Sequence, residues 1–86
     1  MNSKSENNSP RLIRTIAAEI QKTWSKVSPY AEPYLEAMLT LDTIEDNYFF
    51  DDGKSIVLYF LANASGWRGE DARIIKKELR DICGLK

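Results

Sequence analysis

Four cations recur at helical spacing near the end of the chain: Arg73, Lys76, Lys77 and Arg80 stand at i, i+3, i+4 and i+7. On a helix this spacing makes one basic stripe, which is the arrangement that lies against the phosphates of a nucleic acid. Asp81, four residues after Lys77, with Glu78 and Asp71 nearby, supports the plainer alternative of a solvated face neutralised by local ion pairs. A second concentration of reactive groups is acidic. Asp42, Glu45, Asp46, Asp51 and Asp52 crowd one short segment together with Ile44, Tyr48, Phe49 and Phe50. Two carboxylates sharing a cleft can serve as acid and base, but carboxylates in a surface connection pinned by aromatics are solvated. Their spacing also departs from the D-x-[DN]-x-[DN]-G calcium loop, so neither a metal nor any other cofactor is expected.

Other chemical signals are weaker. Gly53-Lys54-Ser55 resembles the end of a phosphate-binding loop, yet Tyr48 stands where the first glycine of that motif is required. The chain has no histidine and a single cysteine, Cys83. A disulfide framework, a Cys/His zinc site and histidine-based catalysis are therefore excluded within one chain. Cys83 follows Ile82 at the end of an apolar face, where a small buried thiol is the plain reading. With no phosphate loop and no paired nucleophile and base, a non-enzymatic protein is expected.

Trp67 and Arg68 stand between Gly66 and Gly69, after an apolar run and before the basic stripe. In one reading they form an interhelical turn, with Trp67 folded over the seam and Arg68 paired to a carboxylate of the acidic connection. In the other, both are exposed and grip a partner, since Trp and Arg dominate binding hot spots. The turn asks less of a chain of 86 residues, whose core is too small to spare a tryptophan.

The elements that must position these residues are helical. Leu12, Ile13, Ile16, Ala17, Ile20 and Trp24 define one apolar face of a helix near 10–25, with Ser9 as cap and Pro10 in its first position. Tyr34, Leu35, Met38 and Leu39 mark a helix near 32–41, which Pro33 restricts to a start near Glu32. A buried helix near 53–64, capped by Asp51 or Asp52, is preferred over a hairpin turning at Asp52-Gly53. The apolar run there does not alternate, and an isolated two-stranded hairpin is marginal. Ala72, Ile75, Leu79 and Ile82 define a last helix near 69–83, stopped by Gly84, with Gly66 left-handed in the turn before it. The expected fold is all-α, a small four-helix orthogonal array or bundle. The alternative is α+β with a hairpin at about 47–61.

Composition agrees with one globular domain over 10–86: 43% of residues are hydrophobic and 29% charged. Residues 1–9, polar after the initiator methionine, read as a disordered tail. No stretch has the length of a membrane span or the pattern of a signal peptide, so a cytoplasmic location is expected. The net charge of −1 hides an uneven layout. Residues 10–26 and 55–86 are positive, and 27–54 are strongly negative.

Tyr59-Phe60-Leu61, Asn63-Ala64-Ser65, Trp67-Arg68-Gly69-Glu70, Ala72-Arg73, Lys76 and Glu78-Leu79 form a YFLxNASxWRGExAR-type signature. It resembles that of a set of small uncharacterised bacterial proteins associated with cyanobacteria, phages and plasmids. The resemblance spans roughly residues 10 to 84. It implies a stand-alone domain carried on mobile elements, where DNA-binding and inhibitor proteins are common. It implies no activity and assigns no catalytic residue. The expected function is thus a protein-interaction or regulatory module, binding another protein or itself. The alternative is nucleic-acid binding, with helices 53–64 and 69–83 as a helix-turn-helix-like pair.

Overall fold

A computed structural model describes residues 10–85; the tail expected over 1–9, and Ser9 with it, lies outside the described residues. Four helices and one small hairpin follow in order: α1 (Ile13–Thr23), α2 (Glu32–Met38), β1 (Asn47–Tyr48), β2 (Asp51–Asp52), α3 (Gly53–Ala62) and α4 (Glu70–Ile82). The protein is therefore helical with an added antiparallel ladder, Asn47 opposite Asp52 and Tyr48 opposite Asp51. The hairpin falls within the region of the α+β alternative but turns elsewhere. Its two-residue loop is Phe49-Phe50, while Asp52-Gly53 opens α3 and residues 55–61 are helical.

Helix α1 starts three residues later than Pro10. Leu12 is extended and carries no capping side chain. The first free N–H groups of the helix are met from elsewhere, Ile13 donating to the Asp42 carbonyl (2.9 Å) and Arg14 to the Leu41 carbonyl (2.8 Å). Docking on another segment, rather than a local cap, sets this boundary. Helix α2 begins at Glu32 with Pro33 in its first turn, as proline chemistry requires. Helix α3 has Asp52 as its cap, whose Oδ1 accepts from the Ser55 N–H at 2.7 Å.

The spacing of Ile13, Ile16, Ala17 and Ile20 turns one face of α1 inward, and all four are buried. Helix α1 lies against α2 and α4, and α2 lies closely on α3. Into the centre go Leu35, Met38, Leu41, Val57, Phe60, Ile75 and Leu79. Each such side chain stabilises the fold by roughly 1.5–3 kcal/mol through removal from water. Leu39 and Leu61 pack on the margin, and Cys83 is buried at the end of α4. Burial pushes the Cys83 thiol pKa up, as its apolar setting disfavours the thiolate. No helix among the described residues is long and apolar enough to cross a membrane.

Candidate functional site

The segment 41–52 is built from the inside out. Ile44 and Tyr48 pack on the core margin. Asp46 folds back so that Oδ2 accepts from the Asp42 N–H (2.8 Å) and the Thr43 N–H (3.1 Å). The carbonyls of Asp46 and Ile44 then accept from the Gly53 and Lys54 N–H groups at 2.6 and 3.0 Å. With Asp52 on Ser55, the first three donors of α3 are consumed, leaving none to cradle a phosphate. Gly53 is required here for a different reason. A Cβ at this position would lie 2.9 Å from the carbonyl oxygens of Ile44 and Thr43 and 3.0 Å from that of Asp46.

The acidic residues divide by task. Asp46 and Asp52 cap backbone donors, and Asp42 pairs with Arg14 at 3.0 Å. Asp52 is held below its ordinary pKa chiefly by the Ser55 backbone N–H, then by the Ser55 side chain. Glu45 and Asp51 are exposed and take part in no ion pair found among the described residues. No group of three or more His, Cys, Asp or Glu side chains among the described residues is arranged to hold a metal.

On this braced base stands the tip. Phe50 is fully exposed and Phe49 is 82% exposed. Phe49 also adopts φ 57°, where a residue with a Cβ is strained and glycine is usual. Its ring meets that of Tyr48 edge to face, with centroids 4.8 Å apart, so the tip is anchored at one side. Only Ile44 and Tyr48 act as the aromatic and apolar pins expected of this connection. Phe49 and Phe50 point away from the core, and the sequence reading missed them as candidates.

At the far end of α3 the opposite happens. Trp67 is only 3% exposed, so it lacks the exposure a partner contact needs. Its indole stacks on Trp24, with centroids 5.5 Å and planes 10° apart, and meets Phe60 edge on at 6.5 Å. The tryptophan of the turn is buried as the first reading expects, but against Trp24 and Phe60 rather than over a seam between α3 and α4, and Gly69 rather than Gly66 supplies the positive φ (107°). Arg68 remains exposed, but it pairs with no carboxylate of the acidic connection.

The basic stripe does not act as a unit. Arg73 pairs with Glu70 (2.9 Å) and Lys77 with Asp81 (3.2 Å), both at exposed positions. Lys76 leaves the stripe, donating to the Trp67 carbonyl at 2.7 Å with its ammonium 5.9 Å from the indole centre. Its pKa is lowered, first by burial and then by the nearby positive charges of Arg80 and Arg68. Arg80 and Arg68 are the two of five arginines without a carboxylate partner among the described residues. Helices α3 and α4 are not among the closely packed pairs.

A pocket of about 270 Å³ lies between the start of α1 and residues 42–45, with Leu12, Ile44 and Ile82 in its lining. Arg11, Asp42, Thr43 and Glu45 also line it, with Arg11 paired to Glu19 and Glu78 and Asp42 paired to Arg14. The chain matches no protein family, no curated protein and no solved structure.

Proposed function

We propose that this protein is a non-enzymatic interaction module that docks on a partner protein through the Phe49-Phe50 tip. The observation that carries this reading is the tip itself, two adjacent phenylalanines held in solvent, the first of them at φ 57°. Strain of this kind persists where the surroundings over-determine it, and it concentrates at sites of recognition. The bonds of Asp46, Gly53 and Lys54 beneath the tip supply that bracing and lower the ordering cost of binding. Exposed aromatics are the residues that fill pockets at the centre of an interface. Asp51, next to Phe50 in the hairpin and exposed, favours a partner whose apolar cleft has a basic rim.

The test is capture from cell extract on immobilised protein, comparing the native chain with the variant Phe49→Ser/Phe50→Ser. A protein retained by the first and lost from the second is the expected result, with circular dichroism unchanged. Retention of the same proteins by both would end this reading. Nucleic-acid binding draws less support, because Arg73, Lys76 and Lys77 are each engaged by an internal partner, and among the described residues Arg80 alone of the four is not. Anisotropy of a labelled duplex at low salt, against an Arg73/Lys77/Arg80 triple-alanine variant, tests it directly.

A further inference from the structure

The pocket at the start of α1 brings three parts of the chain around one apolar space. Leu12 and Ile13 come from the start of α1, Ile44 from the connection before the hairpin and Ile82 from the end of α4. Leu12 is 39% exposed, and Ile44 and Ile82 are only partly buried, so the core does not use all of their apolar surface. The volume of about 270 Å³ exceeds the roughly 150 Å³ that holds benzene in an engineered apolar cavity, so a body of about ten non-hydrogen atoms fits. We propose that this pocket binds a small organic cation, a primary ammonium on an aliphatic body, with the body against these four side chains and the ammonium at Glu45. Its lining includes neither Phe49 nor Phe50, so the site is independent of the docking tip.

The polar lining sets the charge of the ligand. Arg11 is the single cation in it and is already committed, its Nε and Nη2 donating to the two Glu78 carboxylate oxygens at 2.9 and 2.8 Å and its Nη1 to Glu19 at 2.7 Å. An anion would compete with both carboxylates for one guanidinium. Asp42 is held by Arg14, and the Thr43 hydroxyl accepts from the Glu45 N–H at 3.1 Å. Glu45 is left as the exposed lining carboxylate with no ion pair among the described residues. The charged groups of the lining and their partners are thus Arg11 and Arg14 against Glu19, Asp42, Glu45 and Glu78, an excess that favours a cation. The start of α1 offers an anion little, because the Ile13 and Arg14 N–H groups already donate to the Asp42 and Leu41 carbonyls. Lys54 binds the Ile44 carbonyl through its backbone N–H, but it neither lines the pocket nor pairs with Glu45. A primary ammonium suits the site better than a quaternary one, since it can donate to Glu45 and no aromatic side chain lines the space to form a cage.

The experiment is an amide NMR titration of the full chain with hexylammonium, with hexanol and hexanoate as neutral and anionic chains of the same length. It is repeated on Glu45→Gln and Leu12→Ser, both at exposed positions, and an unchanged spectrum away from the pocket shows that each variant is folded. Hexylammonium should shift the amides of residues 11–13, 42–45 and 82 and bind more tightly than either control. Glu45→Gln should weaken hexylammonium about two- to fivefold, as an exposed ion pair does, and leave hexanol unchanged. Leu12→Ser should weaken hexylammonium and hexanol alike, by about threefold or more. Hexanoate binding as tightly as hexylammonium, an affinity unchanged in Glu45→Gln, or no shift at these residues in millimolar hexylammonium overturns the inference. Blocked lysine binding as tightly as hexylammonium would place the ammonium on a partner's side chain and overturn the small-molecule assignment.

Discussion

Two connections flank α3, and they treat their aromatics in opposite ways. After α3, residues 63–69 turn Trp67 into the core, and glycine occupies the unusual backbone position, Gly69 at φ 107° and ψ −176°. Before α3, residues 49–50 turn two phenylalanines into solvent, and the unusual position is held by Phe49 itself. The first connection relaxes its backbone to gain burial. The second keeps its strain and leaves both rings in solvent.

The comparison is broken most severely at Trp67. Trp67→Ala removes the stacked partner of Trp24 and should cost about 3–5 kcal/mol in chemical denaturation, enough to threaten the fold of a small domain. Loss of less than about 1 kcal/mol would mean that the turn is not part of the core. Gly53→Ala comes next, as its methyl group collides with three backbone carbonyls. A cost of about 1–3 kcal/mol is expected, together with a shift of the amide resonances of residues 43–46.

The pair Gly69→Ala and Phe49→Gly sharpens the contrast. Nothing lies within 4 Å of a Cβ at Gly69, so Gly69→Ala measures backbone strain alone, about 1–3 kcal/mol destabilising. Phe49→Gly removes strain and buried contact is hardly lost, so stability should equal the native value or rise by up to about 1 kcal/mol while partner capture falls. A destabilised Phe49→Gly protein would show that the ring serves the fold.

The smallest effect is in acid. Asp52 has a folded pKa below its ordinary value of 3.8, so its capping contribution is present above that value and fades as pH falls through the lower, folded pKa. The Ser55 amide resonance should follow this titration, and Asp52→Asn should remove the pH dependence.

Helical periodicity made the four helices legible, and the proline rule placed the start of α2 at Glu32. The start of α1 was not legible, because Pro10 with a preceding serine is a good local signal that loses to carbonyls of residues 41 and 42. Asp52-Gly53 has the form of a hairpin turn, yet it opens α3, and its glycine has a tertiary reason. Glycine there answers a close approach by Thr43, Ile44 and Asp46, which is a tertiary demand with no local pattern. The stripe of α4 was legible as spacing, but its division into pairs, and the departure of Lys76 to Trp67, depends on where the preceding turn sits. The tip could have been suspected from one constraint. With Asp52 used as a cap and Tyr48 needed by the core, the chain must reverse at the residues between them, which are phenylalanines.

Residues 41–46 supply carbonyls to the first donors of both α1 and α3. Two helices separated by 29 residues in sequence thus share one clasp, and neither completes its first turn without it. Opening this clasp exposes both helix starts together, so amide hydrogen exchange at Ile13, Arg14, Gly53 and Lys54 should report a single cooperative unit rather than two fraying ends. A protease cut between residues 43 and 46 should likewise release the two helices together.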